Sequence, residues 1–192
     1  SDATASSGIV LQSNGASPAT DDWYGIDLMP GSVNSLLDYT TVRHATIGLT
    51  FSGGAGTAQR STIERNGTGV SVTSGAPTLT QLTIRNNTGT GVDISAANPT
   101  LSNSLVVDNA SYGVYVSKNN SSSYTVALSK NTVVGNGGTG IYAYTSYSSG
   151  SLSVPVSNSI VSGNGSYGIR SSGNASASSS YNLVWGQTYN HD

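Results

Sequence analysis

There is no cysteine in this chain, and charge of either sign is scarce, at 8% of residues with a net charge of −2. Without cysteine neither a disulfide scaffold nor a thiolate metal site can form, although the compartment stays open. The seven lysines and arginines draw no basic stripe that would neutralise phosphates, so nucleic acid is not an expected partner. No apolar run reaches the roughly 18 residues of a membrane-spanning helix, so membrane insertion is not expected either. No initiator Met and no charged-then-apolar leader open the chain, which therefore reads as a mature or excised piece. What is abundant is small and polar: Ser, Thr, Asn and 24 glycines, together with 11 tyrosines. Low charge with many hydroxyls is compatible with disorder. A strict recurrence of Val, Ile and Leu argues against it, and the composition points to a secreted or cell-surface β protein.

That recurrence has a period of 21 to 28 residues. An aliphatic pair is followed by an Asn, then by a Gly with alternating side chains after it. The copies centre on Asn66, Asn87, Asn109, Asn136 and Asn164. Three positions before each Asn stand Ile63, Ile84, Val106, Val133 and Val161; eight before stand Ala58, Leu79, Leu101, Leu128 and Val156. After the Gly come Val70, Val92, Val114, Ile141 and Ile169, with Val72, Ile94, Val116, Ala143 and Ser171 two residues on. Two short strand patterns per unit at a fixed period predict a parallel solenoid, all-β, of about seven coils. One domain over 1–192 is expected: degenerate coils in 1–57, regular repeats in 58–171 and an incomplete last coil in 172–192. Ile9-Val10-Leu11 is read as a strand of the coil before Gly25-Ile26-Asp27-Leu28.

The Gly column marks a place of positive φ or of close approach. The Asn column marks a bend, where Asn tolerates the left-handed conformation and its amide can ladder with the coils on either side. Asn66, Asn109 and Asn164 also begin N-x-S/T sequons. A buried ladder residue cannot carry a glycan, so Asn119, Asn120 and Asn174 are the better acceptors.

Asp22-Trp23-Tyr24-Gly25-Ile26-Asp27-Leu28, then Leu36-Leu37-Asp38-Tyr39-Thr40-Thr41-Val42, and the repeated I-x-x-N…G-I/V units closely resemble right-handed parallel β-helix proteins of the pectin-lyase-like superfamily. They look most like the non-enzymatic β-helix regions of large bacterial surface and secreted proteins. The resemblance spans nearly the whole chain; it is specific for fold and weak for function. Such regions usually carry further coils before the D-W-x-G-I phrase. No capping helix is readable at either end. The expected partners are therefore flanking coils of a longer chain, or a second copy stacked end to end through Ile9, Leu11, Leu183 and Trp185.

Lyases of this resemblance need clustered carboxylates with a base, and glycosidases need two acids at defined spacing. Asp27 and Asp93 share an outward column but lie three coils apart, roughly 14 Å at strand spacing. His44 and Asp108 are separated in the same way. Asp21 and Asp22 read as turn residues, and Asp2, Asp38, Glu64 and Asp192 complete the acidic set. Arg43, Glu64 and Arg85 occupy one column of three successive coils and read as a surface ion ladder. No catalytic, metal or cofactor site is expected. The remaining candidate is aromatic. The two long copies insert about Ser117–Tyr124 and Tyr144–Ser153 at the same turn, placing Tyr124, Tyr144 and Tyr147 beside Tyr115 and Tyr142. Tyr rings suit sugars and protein partners alike, and equally the mere stabilisation of an exposed sheet. The expected function is a non-enzymatic, extracellular structural or adhesive unit, with a carbohydrate-active enzyme or a sugar-binding module as the alternatives.

Overall fold

The computed structural model of the chain describes residues 8–32 and 34–191. Each coil lays one short strand into each of three sheets, and every strand pairs in parallel with the equivalent strand of the next coil. Sheet one holds eight strands, from Ile9–Leu11 through Thr40–Arg43 to Leu183–Trp185. Sheet two also holds eight, from Ile26–Leu28 to Tyr189–His191. Sheet three holds seven, from Leu36–Asp38 to Ser179–Ser180. The all-β solenoid of about seven turns is as expected. Two details differ. A third strand per coil runs through the Ala58, Leu79, Leu101, Leu128 and Val156 column. Ile9–Leu11 pairs with Thr40–Arg43, so it shares its coil with Ile26–Leu28 rather than preceding it.

The core is a set of stacked aliphatic columns. Ile63, Ile84, Val106, Val133 and Val161 follow one another in register and are essentially inaccessible to solvent. Val92, Val114, Ile141 and Ile169 do the same in sheet two. Such burial contributes about 25 cal/mol per Å² of apolar surface, and similar aliphatic side chains stack at the strand repeat.

Between sheets one and two the chain bends, and there the Asn ladder runs. Asn109 Oδ1 accepts the backbone N–H of Asn87 at 3.2 Å and its Nδ2 at 2.8 Å. Asn109 in turn donates its N–H and Nδ2 to Asn136 Oδ1, at 3.1 and 2.9 Å, and Nδ2 also to the Ile84 carbonyl. Asn87 and Asn136 repeat the arrangement; at its ends Asn66 accepts the Ala45 N–H and donates twice to Asn87, and Asn164 accepts twice from Asn136, all of them buried. The left-handed residue of this bend is the one before the Asn, or before Ala45 and Gln187 in the outer coils: His44, Arg65, Asn86, Asp108, Gly135, Gly163 and Gly186 have φ of 53–76°. The Asn itself is not left-handed, because its side chain must turn inward to meet the next coil. A second bend, between sheets three and one, carries another left-handed column with φ of 46–56°: Tyr39, Arg60, Gln81, Asn103, Lys130, Asn158 and Tyr181. The Gly column answers to close approach. A Cβ on Gly113 would lie 2.6 Å from the Gly140 oxygen and 2.9 Å from Asn136 Nδ2.

Replacing Asn109 by Ala would strand the buried N–H of Asn87 and one of its two Nδ2 hydrogens, the other remaining on the Ile63 carbonyl. At about 1–3 kcal/mol per orphaned group, a loss of about 3 kcal/mol or more is expected in urea unfolding, with hydrogen exchange rising first in the two adjoining coils.

Candidate functional site

The outward face of sheet two carries a column that changes character along the rod. It runs Asp27, Thr50, Ser71, Asp93, Tyr115, Tyr142, Arg170, each paired with the next in register. Alternation puts these side chains outside because their strand neighbours Val92, Ile94, Val114, Val116, Ile141 and Ala143 fill the core. At the strand repeat, tyrosines of successive coils are close enough to touch. The Tyr115 and Tyr142 rings have centroids 5.6 Å apart, and Tyr112 stacks on Tyr115 at 5.2 Å and 21°. Tyr144, two residues along its strand, meets Tyr142 at 6.2 Å. The Arg170 guanidinium lies over Tyr142 at 5.3 Å and over Tyr167 at 4.6 Å, and Tyr167 stacks on Tyr189.

Of the five expected tyrosines, three join this face: Tyr115, Tyr142 and Tyr144. Tyr124 packs instead against the core, and its hydroxyl accepts the Asn120 amide at 2.9 Å. Tyr147 sits in the second insertion, where its carbonyl takes the Asn174 amide. Tyr112, Tyr167 and Tyr189 were not foreseen. They stand one position before the Gly or its equivalent, where other coils carry Thr68, Thr90 and Thr139, so no repeated residue type announced them.

The two insertions do lie side by side. Short strands Tyr124–Thr125 and Leu152–Ser153 pair with each other and then with Ala175–Ser176, forming a small fourth sheet. Lys118 is buried beneath them, and its ammonium donates to the carbonyls of Ser122 and Ser149, one in each insertion. A buried ammonium held by carbonyls ties the two loops together.

The carboxylates are spread out, and most are engaged locally. Glu64 is buried between Arg85 (2.8 Å) and Arg43 (3.9 Å), as the shared column predicts. Asp38 takes both a salt bridge and hydrogen bonds from Arg60, which hold its carboxyl below the ordinary aspartate value. The Ala19 N–H does the same for Asp22. Asp27 accepts the Ser52 hydroxyl at 2.7 Å. Asp21 and Asp108 have left-handed backbones, and His44 is buried with its Nδ1 unpartnered. Asp2 and Asp192 lie outside the described residues. Asp93 is different. It is half-buried, and no ion pair or hydrogen bond among the described residues reaches its carboxylate. Burial alone pushes its carboxyl above the ordinary aspartate value. The Tyr115 hydroxyl beside it is raised as well, first by burial, then by Tyr142, the Asp93 charge and Tyr112. Among the described residues no group of three or more His, Asp or Glu could hold a metal ion.

At the two ends of sheet one, Ile9, Leu183 and Trp185 are exposed. Leu183 and Trp185 occupy outward columns, beyond Ile160 and Ser162, whereas Val184 continues the inward column. Leu11 continues that inward column at the other end, against Val42.

The family model of the right-handed β-helix region matches residues 6–184, nearly the whole of this solenoid. The chain belongs to the right-handed β-helix family. Neither a curated protein nor a solved structure matches the chain.

Two substitutions probe the β-helix here. The folded protein holds the Asp93 proton to higher pH than the unfolded chain does, so its stability falls as pH rises through that window and the penalty is complete above it. Asp93→Asn is therefore expected to raise Tm by about 2 °C at pH 7, with the gain vanishing near pH 3. Lys118→Met is expected to speed amide exchange several-fold in both insertions while the core columns keep their protection, as read by exchange mass spectrometry.

Proposed function

We propose that this β-helix is a non-enzymatic structural and adhesive unit acting outside the cell or at its surface. The observation that supports it is the dispersal of its acids. Asp38, Glu64, Asp22 and Asp27 are each engaged by groups of their own or a neighbouring coil. Asp93, the one left unpartnered in the aromatic face, has its column-mate Asp27 three coils away, about 14 Å along the rod. Glycoside hydrolysis asks for two carboxyl groups roughly 5–9.5 Å apart across the scissile bond.

The finer placement among bacterial surface proteins of the pectin-lyase-like superfamily is part of the same proposal. It rests on the Asp22-Trp23-Tyr24-Gly25-Ile26 phrase and on the low-charge, hydroxyl-rich surface. In this role the rod spaces and presents its Tyr-bearing face. Its neighbours along the axis are flanking coils of a longer chain or a second copy, through sheet edges whose inward residues are Leu11 and Val184.

Incubation with acidic and neutral polysaccharides, with and without calcium, is expected to release neither reducing ends nor the ultraviolet absorbance of unsaturated sugars. Release that disappears in Asp93→Asn or Asp108→Asn would establish the enzyme instead.

A further inference from the structure

Asp93 poses a physical problem. A carboxylate taken half out of water, with no donor and no cation reaching it among the described residues, is unfavourable unless something outside them completes it. The neighbouring coil presents an aromatic ring: Asp93 pairs in register with Tyr115, one strand spacing away, and Tyr112 and Tyr142 pack against that ring.

The same molecule shows what such a combination holds. At the corner of the second and third coils, Arg60 Nε donates to Asp38 Oδ1 at 2.9 Å and Nη2 binds Oδ2. The guanidinium carbon of Arg60 then lies 4.7 Å from the centre of the Tyr39 ring. Carboxylate, guanidinium and tyrosine form a closed triad. Arg170 shows the ring half of that chemistry over Tyr142 and Tyr167. At Asp93 and Tyr115 the carboxylate and the ring are present and the guanidinium is not. Of the chain's seven cations, four are committed elsewhere, Arg43 and Arg85 to Glu64, Arg60 to Asp38 and Lys118 to the insertion carbonyls, Arg170 lies over Tyr142 and Tyr167, and no ion pair joins Arg65 or Lys130 to Asp93 among the described residues.

We propose that Asp93 and Tyr115 form a receptor for an arginine side chain of a partner protein, whose guanidinium would fork onto the carboxylate and stack on the ring. The inference rests on the adhesive reading and names the chemistry of its contact. Charge decides the occupant. A neutral sugar would offer hydroxyls to Asp93 and a flat face to Tyr115, but it would leave the charge unbalanced. A lysine would balance the charge, but a point-like ammonium makes neither the bidentate fork nor the planar stack. A guanidinium does all three, and its attraction to a ring face strengthens where both are partly desolvated.

The test uses the full chain, isotope-labelled, titrated with N-acetyl-argininamide and followed by NMR at the Asp93 carboxyl carbon and the ring protons of Tyr112 and Tyr115. Saturable shifts at these groups, with the Asp27 carboxyl unmoved, are expected at millimolar probe. Binding should weaken at least tenfold in Asp93→Asn and in Tyr115→Leu, and severalfold when N-acetyl-lysinamide replaces the arginine probe. Circular dichroism and melting of each variant show that its fold is retained, and Asp93→Asn is the variant expected to melt no lower than the parent. Absence of saturable shifts, or equal shifts in Asp93→Asn, would overturn the proposal. So would cellohexaose moving these resonances where the arginine probe does not, which would make the face a glycan platform. Polysaccharide cleavage would remove the adhesive reading itself; a failed arginine titration without cleavage removes only this site.

Discussion

A backbone that bends while buried must find partners for its N–H and C=O groups, and in this β-helix the next coil supplies them through one side chain per turn. Asn87, Asn109 and Asn136 each accept two donors from the coil before and give two to the coil after, so the bend's amides find partners from turn to turn. This requirement sets the rest. The Asn must point inward, so the left-handed residue falls just before it. The amide occupies the space beside the following strand, so that strand must enter on a residue without a Cβ. The aliphatic columns stack in register because the ladder allows no slip between neighbouring turns. A second, mixed ladder guards the other bend: Ser104 takes the Leu82 N–H and gives its own N–H to Asn131, which passes the bond on to Ser159 and then Asn182. Interior and corners thus solve two separate problems, burying apolar surface and satisfying polar backbone, at the same strand spacing.

With most polar groups of the bends matched, the informative places are those where matching stops. Glu64 between two arginines and Asp38 beside Arg60 are matched. Asp93 is not, and it stands where the outer column of sheet two passes from small hydroxyls to tyrosines. A partly buried carboxylate without a partner, next to the densest aromatic cluster of the chain, is the kind of local concession that functional surfaces make against the stability of the whole.

Much of the architecture was legible because the repeat is read by position rather than by propensity. Aligning on Asn placed Ile84, Val106 and Val133 in one core column and Arg43, Glu64 and Arg85 in one surface column, and both pairings hold. The third strand was hidden for a physical reason. It is only two or three residues long with a single inward side chain, so it leaves no alternation to detect. The second ladder was hidden because its position changes residue type from coil to coil: Ser61, Leu82, Ser104, Asn131. Tyr112 escaped because its counterparts are threonines, and Tyr124 misled because an insertion by itself does not say which way a ring will turn. Asp93 was judged by its distance from other acids. Its want of a partner appears only when every neighbour has been placed.

The corner between sheets two and three differs from the other two. It carries both insertions, and the chain crosses it in a few residues from Ser95 to Thr100 but takes a longer way from Thr145 to Val156. The fourth sheet is what happens when two such detours fall in adjacent turns and pair with each other. A rod with two stitched seams and one loose seam can change its chain length along a single line without disturbing any register. Both length changes of this chain fall on that line, as adjacent loops on an otherwise regular spine.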